Sequence, residues 1–262
     1  PVFAASIGNP ETIGESGKVA VGIEYDDSRQ SLHLKDGRVN DGVTGSSFNA
    51  SSMRLKTHTE YATITVGALQ NLDVFASLGV NKARLNLNTE YGDGGYETFE
   101  INDGSNIAWK TGVKGTFADI SGIKLGGMVQ YSAFKMNDTF KVDGTELDDL
   151  FAPVSASYNS KTRVHEWQAA LTAGTKVAMF TPYAGVTYAK TSVSSDTDIH
   201  VASDGVNPAY DVNVSIEAKQ AHSFGGVVGT GINDALFKGV NLNMEGRFGN
   251  EDALTATINY QF

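Results

Sequence analysis

The sequence predicts an all-β fold: a transmembrane antiparallel up-and-down β-barrel of about ten strands, with short turns at one end and long loops at the other. Three observations predict it. Segments of about ten residues alternate apolar and polar side chains with a period of two. The connections between them sort into short and long. No stretch approaches the ~18 consecutive apolar residues that a membrane-crossing helix needs.

Residues 1–16 form an N-terminal segment ahead of the barrel at 17–262. Within it Val2-Phe3-Ala4 has the small-x-Ala form seen at the end of a secretory signal, and an ordinary irregular start fits equally well. The first strand reads Val19, Val21, Ile23 and Tyr25 against Gly22, Glu24 and Asp26. Strands follow near 53–67 and 73–87, where the phase slips around Ala62 and Lys82; bulges, or strands outgrowing the bilayer, account for the slips. Ile107, Trp109, Val113 and Phe117 alternate with Lys110, Lys114 and Thr116. Leu125, Val129, Tyr131 and Ala133 alternate with Lys124, Gln130 and Ser132. Trp167, Ala169, Leu171 and Ala173 alternate with Glu166, Gln168 and Thr172. Further strands fit near 182–192 and 214–231. Val240, Leu242, Met244 and Phe248 alternate with Asn241, Asn243, Glu245 and Arg247. In the last segment Leu254, Ala256, Ile258, Tyr260 and Phe262 share one face.

Short connections fall near 69–73, 119–123, 176–181 and 232–239, and long ones near 28–52, 88–106, 137–162 and 194–213, with 249–252 a short exception. A soluble sandwich has no reason to sort its loops in this way. The composition agrees: 29 glycines, 10 tyrosines and 13 phenylalanines beside 5 prolines suit many strands joined by turns. There is no cysteine, which removes disulfides, thiolate metal sites and a cysteine nucleophile. A net charge of −10 argues against nucleic acid as a partner.

If the apolar face meets lipid, the lumen receives Glu24, Asp26, Arg54, Lys56, Glu60, Arg84, Lys110, Lys114, Lys124, Glu166, Glu217, Lys219, Glu245 and Arg247. Eight are basic and six acidic, so the signs nearly cancel, as confined charges must. Trp109, Tyr131, Trp167, Tyr188, Tyr260 and Phe262 fall near strand ends, where aromatic girdles mark the membrane interfaces. Gly22, Gly79, Gly112, Gly126, Gly185 and Gly225 are small inward positions that leave room for a narrow aqueous path.

From about Lys18 to Phe262 the chain resembles small bacterial outer-membrane β-barrels, porin-like or opacity-type. Its alternating ending capped by Phe262 resembles the C-terminal strand signal read by the barrel assembly machinery. The resemblance implies residence in the bacterial outer membrane, a periplasmic N-terminal segment, periplasmic turns and extracellular loops. It also implies contact with outer-membrane lipid and lipopolysaccharide.

The omptin proteases, also ten-stranded, place an Asp-x-His pair opposite an Asp-x-Asp pair at the barrel rim. Asp198-Ile199-His200 has the first form, but Asp196-Thr197-Asp198 lies in the same segment rather than on a facing strand. A polar surface loop is the simpler reading, so no catalytic role is expected. His33, His58, His165 and His222 lack metal-site spacing, and no metal or cofactor is expected. Three acidic stretches carry Glu90, Asp93, Glu97, Glu100 and Asp103; Asp138, Asp143, Glu146, Asp148 and Asp149; and Asp196, Asp198, Asp204 and Asp211. They offer oxygen ligands to divalent cations, although none has the ordered calcium-loop pattern. The leading functional expectation is a small porin or passive channel for ions or small solutes. The alternative is a structural or adhesive barrel with a salt-bridge-plugged lumen and ligand-binding acidic loops.

Overall fold

The computed structural model describes residues 8–13, 16–40, 42, 45–90, 96–136, 138–142, 145–146, 156–203, 208–232 and 234–262. The secretory-signal reading at residues 2–4 lies outside them. The strands are β1 (Val19–Asn40), β2 (Gly45–Ser47), β3 (Ala50–Leu69), β4 (Leu72–Glu90), β5 (Tyr96–Asp103), β6 (Asn106–Ile120), β7 (Ile123–Met136) and β8 (Asp138–Val142). They continue as β9 (Thr145–Glu146), β10 (Ala156–Thr175), β11 (Phe180–Val201), β12 (Tyr210–Gln220), β13 (Phe224–Ile232), β14 (Val240–Phe248) and β15 (Asp252–Gln261).

Ten of these close the membrane ring. β1, β3, β4, β6, β7, β10, β11, β13, β14 and β15 pair antiparallel in that order, and β15 returns to β1 from Ala20↔Gln261 to Arg29↔Asp252. Tight turns join them at one end. Ser121 and Gly122, both at positive φ (54° and 86°), make the two-residue connection between Ile120 and Ile123, a geometry that follows the strands' own twist.

Several strands run far past the membrane. On β11 the outward positions Phe180, Pro182, Ala184, Val186 and Tyr188 are apolar, and from Lys190 onward they are polar. That apolar run is about nine residues, the span a tilted strand needs to cross the hydrocarbon. Above it the ring narrows. β12 pairs the upper parts of β11 and β1, standing in for β13, β14 and β15. β5 pairs the upper part of β4, and β8 pairs β5 and lies beside β10, standing in for β6 and β7.

This extension explains where the sequence pattern misled. The alternation at Ala62 and Lys82 is unbroken; the β3–β4 register shifts only at Ala50/Ser52 and Gly67/Leu69. What changes is the chemistry of each face. Inside, β3 passes from Thr65 and Thr63 to Leu55 and Met53, while outside it passes from Val66 and Ile64 to Lys56 and Arg54. Strands outgrowing the bilayer is therefore the correct reading of the slips. The expected strand at 214–231 is in fact two, β12 and β13. The expected long loops are in large part strand.

Leu32, Met53, Leu55, Leu85, Leu87, Ile101, Val164, Val193 and Ile216 are buried together in the extension, with Phe48, Phe99 and Phe134 packed against them. A ring of about eight strands is just wide enough for side chains to fill, and here apolar ones fill it.

Candidate functional site: the barrel lumen

The lumen holds three stacked zones. In the middle, β14 and β1 set charges against each other. Arg247 binds Asp26 at 2.7 Å, Glu251 at 2.8 Å and Glu245 at 3.2 Å, and donates to Thr255 Oγ1 at 2.6 Å. Thr255 in turn donates to Asp26 at 2.7 Å. Lys110 pairs with Glu24 and lies 4.5 Å from the centre of the Tyr61 ring. Glu166 accepts from Thr191 at 2.6 Å and from Gln30. Gln168 links Gln130 (2.6 Å) to Glu251 (3.0 Å). Buried charge is tolerated only when paired and hydrogen-bonded, and this network meets that condition around Arg247. A cavity of about 50 Å³ remains beside it, lined among others by Glu24, Tyr61, Asn81, Lys110, Gln130 and Glu166. Glu24 Oε2, Asn81 Oδ1 and Gln130 Oε1 have no protein partner among the described residues. That volume and those acceptors suit bound water.

Toward the short turns the lumen is filled by the chain's own N-terminal segment. Residues 8–13, expected as part of a periplasmic segment, lie buried inside the cylinder at its periplasmic end. The Gly8 N–H donates to Glu245 at 2.7 Å and the Ile13 N–H to Asp73 at 2.9 Å. Glu11 accepts from Lys124 at 2.8 Å, and the Pro10 carbonyl accepts from Thr116 at 2.5 Å. Lys114 is fully buried in the field of Asp73, Glu11 and Glu245. Gly126 is small because Pro10 passes there: a Cβ at that position would sit 2.7 Å from the Pro10 Cα. Toward the cell exterior, the apolar core of the extension closes the other end.

Eight of the fourteen charges expected in the lumen are there: Glu24, Asp26, Lys110, Lys114, Lys124, Glu166, Glu245 and Arg247. Arg54, Lys56, Glu60, Arg84, Glu217 and Lys219 point outward instead, a correction with one cause. All six lie on strand above the lipid band, where the outer wall meets water and the polar face is the outer one. His58, on the same face as Arg54 and Lys56, likewise lies outside, near Asp27 and Glu60. The small inward glycines serve close packing rather than an open space. Side chains fill the space a Cβ would take: Asn259 at Gly22, Tyr61 at Gly79, Phe75 at Gly112, Thr172 at Gly185 and Asn250 at Gly225. The alternation missed Glu11, Asp73 and Glu251. Asp73 sits at the start of a strand, and Glu11 and Glu251 lie on no strand.

Trp109, Tyr131, Trp167, Tyr188, Tyr260 and Phe262 all lie on the outer wall. Tyr131 bridges Trp109 (5.5 Å between ring centroids) and Trp167 (4.9 Å) on the extracellular side, and Tyr260 packs on Phe262 at 4.9 Å on the other. His200 pairs with Asp211 at 2.6 Å and Asp198 accepts from Asn213 at 2.8 Å, both outside on the extension. Glu100 lies 3.6 Å from Arg84, and Asp196 accepts from Ser215 at 2.9 Å. Asp93, Asp143, Asp148, Asp149 and Asp204 lie outside the described residues. Among the described residues no group of three or more His, Asp or Glu is placed to hold a metal.

Residues 98–262 match the model of a family of unknown function, DUF6588. The chain belongs to that family. This DUF6588 chain is also 28% identical over 198 residues to the major outer membrane porin, serovar F, of Chlamydia trachomatis, covering 59% of this chain and 50% of that protein. It thus spans about half the length of that curated relative. Among solved structures it is similar to the outer membrane protein OprG of Pseudomonas aeruginosa (8% identity, TM-score 0.43, 95% of this chain and 97% of that one). The translocator domain of the autotransporter NalP from Neisseria meningitidis is comparable (11% identity, TM-score 0.42, 95% and 90%). With both scores below one half, the fold assignment rests on the hydrogen-bonded ring itself. The DUF6588 chain is a closed antiparallel β-barrel of the outer-membrane type, and one of its relatives is a bacterial outer-membrane porin.

Proposed function

We propose that this barrel rests closed and is a structural or adhesive outer-membrane protein, whose interactions are made by its extracellular extension rather than by steady conduction. One observation carries the reading: the lumen is shut at both ends, by residues 8–13 below and by the core around Leu55 and Leu85 above. Neither closure is a lone side chain that could swing aside. On this reading the molecule has no enzymatic role, and His200→Ala leaves the cleavage of basic peptides by whole cells unchanged. The test of closure is single-channel recording in planar bilayers. No resolvable steady current is expected; a constant open current at low voltage would overturn it.

A gated channel is the second reading. It is favoured by the relationship to a porin and by the closure's construction from a continuous chain segment, which can withdraw as a unit. Removing residues 1–13 separates the two. Conduction by the shortened chain supports gating, and a silent bilayer supports the closed barrel.

A further inference from the structure

We infer that Lys35, Lys190 and Lys219 form an outward-facing site for a phosphate group carried at the outer surface of the membrane, most directly a phosphorylated glycolipid headgroup. The three come from neighbouring strands. Lys219 of β12 lies across from Ser192 of β11 on one side and His33 of β1 on the other. Lys190 is two residues before Ser192 and shares its outer face, and Lys35, the extra residue of a bulge between Leu34 and Asp36, is exposed on the same side. Lys35 sets its charge against Lys219 across the β1–β12 pair, and Lys190 adds its own. Ammonium groups so placed repel, and that repulsion holds Lys219 below the usual lysine range. A multiply charged anion placed between them removes the cost.

The level of the cluster identifies the anion's setting. Lys190 is directly opposite Trp167, and Tyr188, packed on Phe224 at 5.2 Å, is the next outward residue below it. Trp and Tyr in such a belt mark the headgroup layer, so the ammonium groups sit where lipid phosphates begin. Another cationic row shows what neutralisation looks like. In Arg29–Lys56–Arg84, Arg29 faces Asp252 at one end and Arg84 lies 3.6 Å from Glu100 at the other. Around the lysine cluster, Asp36 is held by Arg38 at 2.7 Å, and Glu217 acts on Lys219 against the lysine repulsion. Among the described residues no ion pair joins Lys35, Lys190 or Lys219 to a carboxylate. The inference is independent of whether the lumen conducts.

The experiment compares the refolded full chain with Lys35→Gln/Lys190→Gln/Lys219→Gln and with Lys56→Gln, a control for charge loss alone. Probes are a bisphosphorylated lipid A in detergent micelles, the same lipid with its phosphates removed, and inorganic diphosphate. The parent is expected to bind the phosphorylated lipid and the triple variant to bind it about tenfold or more weakly, the scale of one lost charge-assisted hydrogen bond. The Lys56 variant keeps parental affinity. Binding of both phosphorylated lipid and diphosphate, each lost in the triple variant, supports a phosphate site open to a soluble source; binding of the lipid alone supports the headgroup. Equal affinity for the dephosphorylated lipid, or an unchanged triple variant, overturns the assignment. Unaltered heat-modifiable gel mobility of the triple variant confirms that it has folded. In the parent, NMR of methylated lysines should show Lys219 titrating higher once the anion is bound.

Discussion

At the scale of residues, Arg247 holds most of the central network. Its guanidinium meets three carboxylates from β1, its own strand and the turn that follows, in the forked geometry that a lysine cannot reproduce. Arg247→Ala leaves Asp26, Glu245 and Glu251 facing one another without the guanidinium that joins them. A loss of about 3–5 kcal/mol is expected from removing one partner of a buried ionic group, measured by urea unfolding of the refolded protein. Arg247→Lys should recover only part of it. In the extension the argument is apolar: Leu85 is 1% exposed in the core above the membrane. Leu85→Ala should cost about 2–5 kcal/mol by cavity formation, read in the same assay.

At the scale of elements, residues 8–13 add an inner piece to the ten-stranded ring, held by hydrogen bonds to Glu245, Asp73 and Thr116 and by one ion pair to Lys124. Because the chain has no cysteine, a single Asn9→Cys substitution reports its position cleanly. The thiol should react slowly with a membrane-impermeant maleimide. Adding Gly126→Val, whose side chain would collide with Pro10, should speed labelling at least about tenfold, since the segment cannot stay beside a bulkier wall. Equal rates would mean that the segment is already outside. The last strand makes its own prediction. Phe262 is 68% exposed on the lipid side and packs on Tyr260. If the assembly machinery reads this ending, deleting Phe262 lowers the amount of barrel inserted in cells, measured by surface labelling, while refolding in detergent is unaffected.

At the scale of the whole molecule, the barrel has two solvents and two interiors. Where lipid surrounds it, the outer wall is apolar and the inside is ionic; where water surrounds it, the wall is charged and the inside is apolar. The extension is thus packed like a soluble protein on top of a membrane protein. Protease treatment of cells should trim the extension before the membrane ring, leaving fragments that retain β13 to β15, detected by mass spectrometry. Removal of residues 1–13 should still leave the bilayer silent, because the core above remains in place.

Much of this was legible from one dimension. Period two along Leu254–Phe262, the short turns and the missing apolar helix are local properties, and they determined the number of strands in the membrane ring and the lipid-facing belt, but not the five strands outside that ring. The sequence also placed Lys110, Glu245 and Arg247 inside, because there the outer residues are apolar and the polar parity can only face the lumen. Tertiary structure alone decided the rest. Arg54, Lys56 and Glu60 obey the same parity as their neighbours, yet the surrounding solvent changes at a height that no local pattern marks. Residues 8–13 carry no periodic signal, and their place in the lumen depends on groups far along the chain, Gly8 with Glu245 and Glu11 with Lys124. A period identifies which residues share a face; only the assembled cylinder decides what each face meets.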